Sequence, residues 1–139
     1  MRSKFKILHL EDVRADAELA ARELRRNNLH FEHLIIDTEA EYRAALATFQ
    51  PDIILCDHSL PAFNSREALH IKRMQQLPIP FILLTATMTD EVALGLVRDG
   101  ADDYVLKDRL TRLPNAVMNA LDKYGLEQER QQLIARVTT

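Results

Sequence analysis

Five polar residues that could take part in chemistry each follow a short apolar run of the sequence. They are Glu11 and Asp12 after one run, Asp57 and Thr85 after two others, and Lys107 after a fourth. Three carboxylates held together repel one another unless a cation joins them, and an all-oxygen ligand set favours a hard ion such as Mg²⁺. The ammonium group of Lys107 suits a site that also holds an anion, such as a phosphoryl group. Because an aspartate carboxylate can act as a nucleophile, Asp57 is the predicted phosphoryl acceptor.

These residues can meet only if the apolar runs are parallel strands of one sheet. Strands are predicted at residues 4–10, 31–36, 52–56, 81–84 and 103–106. The stretches between them carry apolar residues at steps of three and four, for example Val13, Ala17, Ala20 and Leu24, which predicts one-sided helices. Five such βα units joined by right-handed crossovers give a parallel sheet with helices on both faces. Ligands of such sheets lie at the carboxyl ends of the strands, where the polar residues fall.

Local signals mark the ends of two of these helices. Asn64, followed three residues later by Glu67, predicts a capping box that opens a helix through about Gln76. Gly100 follows apolar residues at helical spacing and is the predicted C-cap of the fourth helix. Pro78 and Pro80 then separate the helix that ends near Gln76 from the fourth predicted strand.

Composition and charge exclude several classes of protein. The 139 residues are close to the size of one domain, and their net charge of −3 comes from interleaved acidic and basic residues, which disfavours direct nucleic-acid binding. The single cysteine, Cys56, excludes an internal disulfide and a multi-cysteine zinc site. The three glycines, at 95, 100 and 125, cannot form a P-loop or a dinucleotide-binding fingerprint. No apolar run approaches the roughly 20 residues of a membrane span, so we expect a cytoplasmic protein without membrane contact.

The motifs that contain the five polar residues resemble those of a known family, the receiver domains of two-component response regulators. The resemblance covers residues 4 to about 125, and the receiver domain is predicted at residues 1–125. Its motifs here are Leu-Glu11-Asp12, Cys-Asp57-His-Ser-Leu-Pro61, Leu-Leu-Thr85-Ala86 and Gly100-Ala-Asp-Asp-Tyr104-Val-Leu-Lys107. The resemblance implies a flavodoxin-like fold, a doubly wound (βα)5 sandwich whose five parallel strands lie in the order 2-1-3-4-5.

The resemblance also implies a role for each residue around the acceptor. Asp57 would receive a phosphoryl group from a histidine kinase, from a phosphotransfer protein or, slowly, from a small phosphodonor. The required Mg²⁺ or Mn²⁺ would be bound by Glu11, Asp12, Asp57 and the main-chain carbonyl of Ser59, with Glu11 acting directly or through water. The family therefore implies a metal-dependent phosphoacceptor site.

A conformational switch is implied by the same resemblance. Thr85 and Lys107 would contact phosphoryl oxygens, and Thr85 would move toward them. That movement would let the Tyr104 ring turn inward and would remodel the face formed by the fourth helix, the fifth strand and the fifth helix. The chain is therefore expected to be a regulator with slow self-catalysed phosphorylation and dephosphorylation, and not an enzyme.

Three positions depart from the family pattern. Asp108 follows Lys107 where the family usually has a proline in a cis peptide, so this loop is expected to be trans and differently shaped. Ser65 stands where a glycine is usual, and Asn64 before it tolerates a left-handed conformation. Ser59, two residues after the acceptor, occupies a position that influences how water reaches the phosphorus atom.

Two other functions remain open from the sequence. One is an enzyme with an aspartyl-phosphate intermediate, although that class commonly has a second aspartate where this chain has Ser59. The other is a pseudo-receiver, a protein-interaction module that works without phosphorylation. The Asp108 departure keeps this second alternative open, whereas the presence of every residue needed for the chemistry argues against it.

Residues 126–139 are predicted to form a helical C-terminal extension or linker. Leu126 and Leu133 lie seven residues apart, but two heptads do not establish a coiled coil. The segment is expected to be a solvated helix, a link to an output domain absent from this chain, or a contact in a homodimer. Output is therefore expected to pass through a downstream protein or through that absent domain.

Overall fold

The computed structural model describes residues 4–58, 60–86 and 89–138, in which five strands alternate with five helices. The strands are β1 (Phe5–Leu10), β2 (Phe31–Ile36), β3 (Ile53–Asp57), β4 (Phe81–Thr85) and β5 (Asp103–Leu106). The helices are α1 (Arg14–Arg26), α2 (Glu39–Thr48), α3 (Ser65–Met74), α4 (Asp90–Asp99) and α5 (Leu113–Thr138). A single 3-10 turn at Leu110–Arg112 leads into α5. Every strand lies within one residue of its predicted bounds.

The five strands form one parallel sheet in the order β2-β1-β3-β4-β5. In its register, Leu10 of β1 lies beside Cys56 of β3, and Asp57 lies beside Leu84 of β4. The carboxyl ends of these strands therefore lie along one edge of the sheet. This confirms the predicted flavodoxin-like, doubly wound fold.

Apolar side chains cover both faces of the sheet. Alternate residues of β3 belong to different cores: Ile53 and Leu55 pack with residues of α1 and α5, whereas Ile54 and Cys56 pack with residues of α2 and α3. Burying one Ile or Leu side chain contributes about 1.5–3 kcal/mol relative to leaving it exposed. Two cores of this kind fix the register, because a slip of one residue would exchange the two faces.

Side-chain caps define where two of the helices begin. Asn64 Oδ1 accepts a hydrogen bond from the Glu67 amide at 2.9 Å, which confirms the predicted cap of α3. Thr38 Oγ1 accepts from the Glu41 amide at 3.2 Å and donates to Glu41 Oε1 at 2.8 Å, which caps α2 in the same way. Gly100 follows α4 with φ +103°, a left-handed conformation that glycine adopts without strain.

Two local expectations were wrong. Val13 was expected on the buried stripe of α1, but it is the N-cap residue, has extended backbone angles and is 45% exposed. Asn64 does not use a left-handed conformation, because its φ is −80° and its side chain caps α3 instead. In both cases the residue is the N-cap of a helix, a position that takes extended backbone angles.

The last helix is longer than the domain that it packs against. α5 has 26 residues and passes through Gly125 without interruption. Its buried residues, including Val117 and Leu121, belong to the core shared with α1. Beyond Gly125, Leu126 and Leu133 are exposed. The extension therefore continues the axis of the domain's own helix. No helix in the described part of the chain is long and apolar enough to cross a membrane.

Candidate functional site

The strand ends bring four of the predicted site residues to one edge of the sheet. Glu11 follows β1, and its amide donates to the Ile36 carbonyl of β2 at 2.9 Å. Asp57 is the last residue of β3, and Thr85 is the last residue of β4. Lys107 follows β5, and its amide donates to the Thr85 carbonyl at 2.8 Å. Backbone hydrogen bonds between neighbouring strands therefore fix the positions from which these side chains extend.

Three carboxylates form an acidic group at this edge. One oxygen from each of Glu11, Asp12 and Asp57 lies within 4.8 Å of the other two. Glu11 and Asp57 are buried, whereas Asp12 is exposed. An all-oxygen donor set that opens to solvent on one side suits a hard, partly hydrated cation such as Mg²⁺. The three residues expected to bind a metal through their side chains are thus found together.

The Lys107 ammonium group lies against this acidic group. Its Nζ atom is 2.8 Å from Glu11 Oε1 and 3.3 Å from Asp57 Oδ2. A third carboxylate, that of Asp16 on α1, lies 2.9 Å away through Oδ2. The ammonium has three N–H donors, so three carboxylates can share it. Lys107 therefore ties the end of β5 to β1, β3 and α1.

Burial and charge set the protonation of this cluster. Burial raises the pKa of Glu11 to about 7, although hydrogen bonds from Lys107 and from the Val13 amide oppose the shift. For Lys107, burial alone would lower the pKa, but the hydrogen bonds to Glu11 and Asp16 and the negative charge of Asp57 raise it above its ordinary value. Lys107 consequently stays charged at neutral pH, and a cation next to Glu11 would favour its ionised form.

Two predicted site residues remain: Thr85, expected at the phosphoryl group, and Ser59, expected to bind the metal through its main-chain carbonyl. Thr85 is buried at the end of β4, in the strand beside Asp57. Ser59 lies outside the described residues, so its metal contact stays a prediction. The residue before it, His58, has Nδ1 3.0 Å from Ser65 Oγ, at the start of α3. This contact connects the end of β3 to α3 at the position where the family usually has glycine.

Tyr104 lies on the edge strand β5, with 36% of its surface exposed. Arg112, which follows the strand, makes two contacts with Tyr104. It donates a hydrogen bond to the Tyr104 carbonyl, and its guanidinium carbon lies 5.8 Å from the centre of the Tyr104 ring. Arg112 Nη2 also donates to Asp103 Oδ1 at 2.8 Å. The ring is therefore held outward. The peptide bond from Lys107 to Asp108 is trans, as expected.

Asp16 is the site residue that sequence reasoning missed. It lies within the first turn of α1, four residues after Asp12, which precedes the helix. The available signal was an acidic residue at the start of a predicted helix, close in sequence to Glu11 and Asp12. The signal is weak, because an acidic residue in the first turn of a helix is common and is favoured by the helix dipole alone.

The fold and the site together define a class of protein. It is a doubly wound α/β domain with a cluster of three carboxylates and a facing ammonium at the carboxyl edge of the sheet, where such folds bind ligands. Residues 7–118 match the family model described as the response regulator receiver domain. The chain belongs to this family.

Curated relatives of the chain are longer proteins. It is 34% identical over 103 residues to the DNA-binding response regulator MtrA of Mycolicibacterium smegmatis, a match that covers 73% of this chain and 43% of that protein. It is 33% identical over 94 residues to the regulatory protein AtoC of Escherichia coli, covering 67% of this chain and 20% of that protein. The chain thus spans less than half the length of these relatives.

Solved structures share the fold at low sequence identity. A signal receiver domain from Vibrio parahaemolyticus matches with a TM-score of 0.80 at 23% identity, over 91% of this chain and 96% of that one. A response regulator receiver domain protein from Methanospirillum hungatei matches with a TM-score of 0.76 at 23% identity, over 90% of this chain and 99% of that one. These similarities establish the fold alone.

Proposed function

We propose that this chain is a phosphoacceptor signalling switch in which Asp57 receives a phosphoryl group from a histidine kinase or a phosphotransfer protein. The observation that carries the proposal is the position of Asp57. Its carboxylate lies 3.3 Å from the Lys107 ammonium and within 4.8 Å of oxygens from Glu11 and Asp12. A nucleophile between a cation-binding group and a fixed positive charge is what phosphoryl transfer requires.

In the proposed reaction an oxygen of Asp57 attacks phosphorus and forms a new O–P bond. The P–N bond of a phosphohistidine donor breaks, and the imidazole nitrogen leaves with the electron pair. Lys107 and the Thr85 hydroxyl donate hydrogen bonds to the phosphoryl oxygens as their negative charge comes close to the site. In a separate slow step, water attacks phosphorus, the O–P bond to Asp57 breaks, and inorganic phosphate and the free carboxylate are released. This hydrolysis limits the lifetime of the signal without making the chain an enzyme.

The acidic group fits the divalent cation that this reaction needs. Glu11, Asp12 and Asp57 would hold Mg²⁺ or Mn²⁺, and the Ser59 carbonyl is the further ligand expected from the family. When bound, the cation neutralises charge on the acceptor and on the phosphoryl oxygens. In its absence the three carboxylates repel an incoming phosphodonor. We therefore expect phosphorylation to depend on the metal.

Tyr104 is the proposed output of the switch. When Thr85 moves toward the phosphoryl group, the Tyr104 ring turns inward and gives up its position against Arg112. The surface of α4, β5 and α5 then changes for a binding partner. Complete switching needs roughly 5.5 kcal/mol of differential stabilisation, and a smaller value gives partial switching.

The partner downstream is a protein or an output domain. The relatives that carry a longer chain include a protein named as a DNA-binding response regulator, which supports an output domain attached to a receiver domain of this kind. The extension of α5 leads away from the domain and is the proposed link, with a homodimer contact as the alternative role. The proposed location is the cytoplasm.

The test is the mass of the intact protein after incubation with acetyl phosphate, with and without Mg²⁺. We expect the mass of one phosphoryl group to be gained only with the metal, and to be absent from Asp57→Ala. Asp37→Asn is the matched control, since Asp37 also follows a strand at this edge of the sheet and should leave the gain intact. No gain by the wild-type chain would contradict the proposal and favour the pseudo-receiver alternative.

A further inference from the structure

Lys107 is shared with a carboxylate that has no assigned role. Asp16 Oδ2 lies 2.9 Å from Lys107 Nζ, which is closer than Asp57 Oδ2 at 3.3 Å. The side chain of Asp16 is 37% exposed and belongs to α1. A cavity of about 20 Å³, lined by Asp16, Lys107, Leu19 and others, adjoins the contact and has room for about one water molecule.

We propose that Asp16 is a positioning residue that shares the Lys107 ammonium with Asp57 and thereby limits how strongly Lys107 holds an anion on the acceptor. The inference rests on the proposed function. The three N–H donors of Lys107 meet three carboxylates, and the contact to Asp57 is the longest. An arriving phosphoryl group therefore competes with Asp16 for a charge that Asp16 already partly neutralises.

The charge of Asp16 acts in opposite directions on the two ligands of the site. It weakens the attraction of Lys107 for an anion. It also makes the electrostatic potential around Glu11, Asp12 and Asp57 more negative, which strengthens cation binding. Loss of this charge should therefore weaken Mg²⁺ binding and strengthen anion binding. A purely structural role for Asp16, in which it only holds α1 in place, would weaken both.

The decisive variant is Asp16→Asn, which keeps the size and the hydrogen-bond acceptor of the side chain but removes its charge. Isothermal titration calorimetry with Mg²⁺ should give a Kd about two- to fivefold higher than that of the wild-type chain, the size of effect that a partly exposed ion pair has. A second titration uses beryllium trifluoride anion at saturating Mg²⁺, as a tetrahedral mimic of a phosphoryl group on a carboxylate. Its Kd should be lower by about the same factor.

Two further variants separate position from charge. Asp16→Glu restores the carboxylate, and we expect both constants to return toward the wild-type values. Glu18→Gln makes the same charge change on α1 at an exposed residue and should alter neither constant. Constants for Asp16→Asn that match those of Glu18→Gln, or that move in the same direction, would overturn the role of Asp16.

The proposed function and this inference fail differently. If the wild-type chain binds neither beryllium trifluoride nor a phosphoryl group, the proposed function is overturned and the role of Asp16 with it. If the wild-type chain binds both and Asp16→Asn does not change the two affinities in opposite directions, only the role of Asp16 is overturned.

Discussion

His9 is a fully buried ionisable side chain two residues before Glu11 on β1. Its Nδ1 lies 3.0 Å from Nε2 of His33 on the neighbouring strand, and the two rings are stacked. Among the described residues, none forms a hydrogen bond with His9 Nε2. Burial, with the nearby His33 and Lys107, lowers the pKa of His9 to about 3. The pair is therefore neutral at physiological pH.

This burial predicts that His9 destabilises the fold in mild acid. Between pH 6.5 and about 3 the unfolded chain binds a proton at His9 that the folded chain does not, so the contribution of His9 to the free energy of unfolding decreases as the pH falls. This contribution should approach about 1.4 kcal/mol per pH unit for this one proton. Glu11, whose pKa is raised by burial to about 7, contributes a slope of opposite sign in the same range. Urea unfolding between pH 6.5 and 5 therefore measures the His9 contribution as the difference between the wild-type chain and His9→Leu.

Two variants assign that slope to its source. His9→Leu should remove this contribution, because the buried position then carries no titratable group, and its slope should be less positive than the wild-type slope by up to about 1.4 kcal/mol per pH unit. His30→Gln should retain it, since His30 is exposed at the start of β2. Equal slopes for His9→Leu and the wild-type chain would rule out His9 as the source.

At the scale of single residues, the sequence predicted the positions of the polar residues at the ends of strands. Asp57 and Lys107 each directly follow an apolar run, and the end of such a run indicates that the residue lies at the carboxyl edge of the sheet. Asp16 was not found, because its contact with Lys107 joins residues far apart in sequence. Arg112 was missed for a related reason: its contact with Tyr104 depends on the 3-10 turn before α5, which no apolar pattern indicated.

At the scale of elements, the continuity of α5 gives the next prediction. A Cβ atom at Gly125 would meet no heavy atom within 4 Å other than those of its chain neighbours and the adjacent backbone of its own helix, and the backbone there is helical. Gly125→Ala should therefore stabilise the helix by about 0.5–1 kcal/mol. Chemical unfolding measures the increase in the free energy of unfolding, and circular dichroism at 222 nm measures the accompanying increase in helix content.

Gly100 provides a control with the opposite sign. Its φ of +103° is unfavourable for alanine, and a Cβ atom there would lie 3.4 Å from Arg73 Cδ. Gly100→Ala should lower the free energy of unfolding by about 1 kcal/mol or more. If both substitutions changed stability in the same direction, the helical continuity at Gly125 would not explain the result.

Elements were more predictable than their ends. The strands were accurate because short, mostly apolar runs of four to six residues between turn signals leave few other arrangements. Val13 was misplaced because spacing describes only residues inside a helix, and Val13 lies at its cap. The cap at Thr38 could have been predicted, since Thr38 and Glu41 have the spacing of a capping box.

At the scale of the whole molecule, a bound cation should stabilise the fold. A ligand that binds only the folded chain adds about 2.7 kcal/mol at a concentration 100 times its Kd. We expect Mg²⁺ to raise the Tm of the wild-type chain and EDTA to reverse the change. Asp12→Asn should reduce the response, because it removes one of the three clustered carboxylates.

Asp12→Asn should also be at least as stable as the wild-type chain when no Mg²⁺ is present, since the substitution relieves repulsion between carboxylates. Asp108→Asn is the control: it removes a neighbouring exposed charge and should leave the Mg²⁺ response unchanged. A full Mg²⁺ response in Asp12→Asn would contradict the proposed metal site.

The overall topology was predicted by two different kinds of evidence. Alternation of strands and helices indicated a parallel sheet, because such connections are right-handed and cover both faces. The order of the strands was implied only by the family resemblance. Local patterns do not encode it, since the choice between neighbouring strands depends on packing between residues far apart in sequence, such as the pairs between β1 and β3.

The uninterrupted α5 helix would act as a lever if its base moved. At 1.5 Å per residue, the 13 described residues beyond Gly125 extend about 20 Å from the domain. A tilt of about 5° at the packed base would displace the far end by roughly 2 Å, and a rotation about the helix axis would turn everything attached there by the same angle. A small tilt of α5 inside the domain would therefore become a larger displacement at the far end of the helix. A rotation at its base would change the direction in which the side chains at that end point.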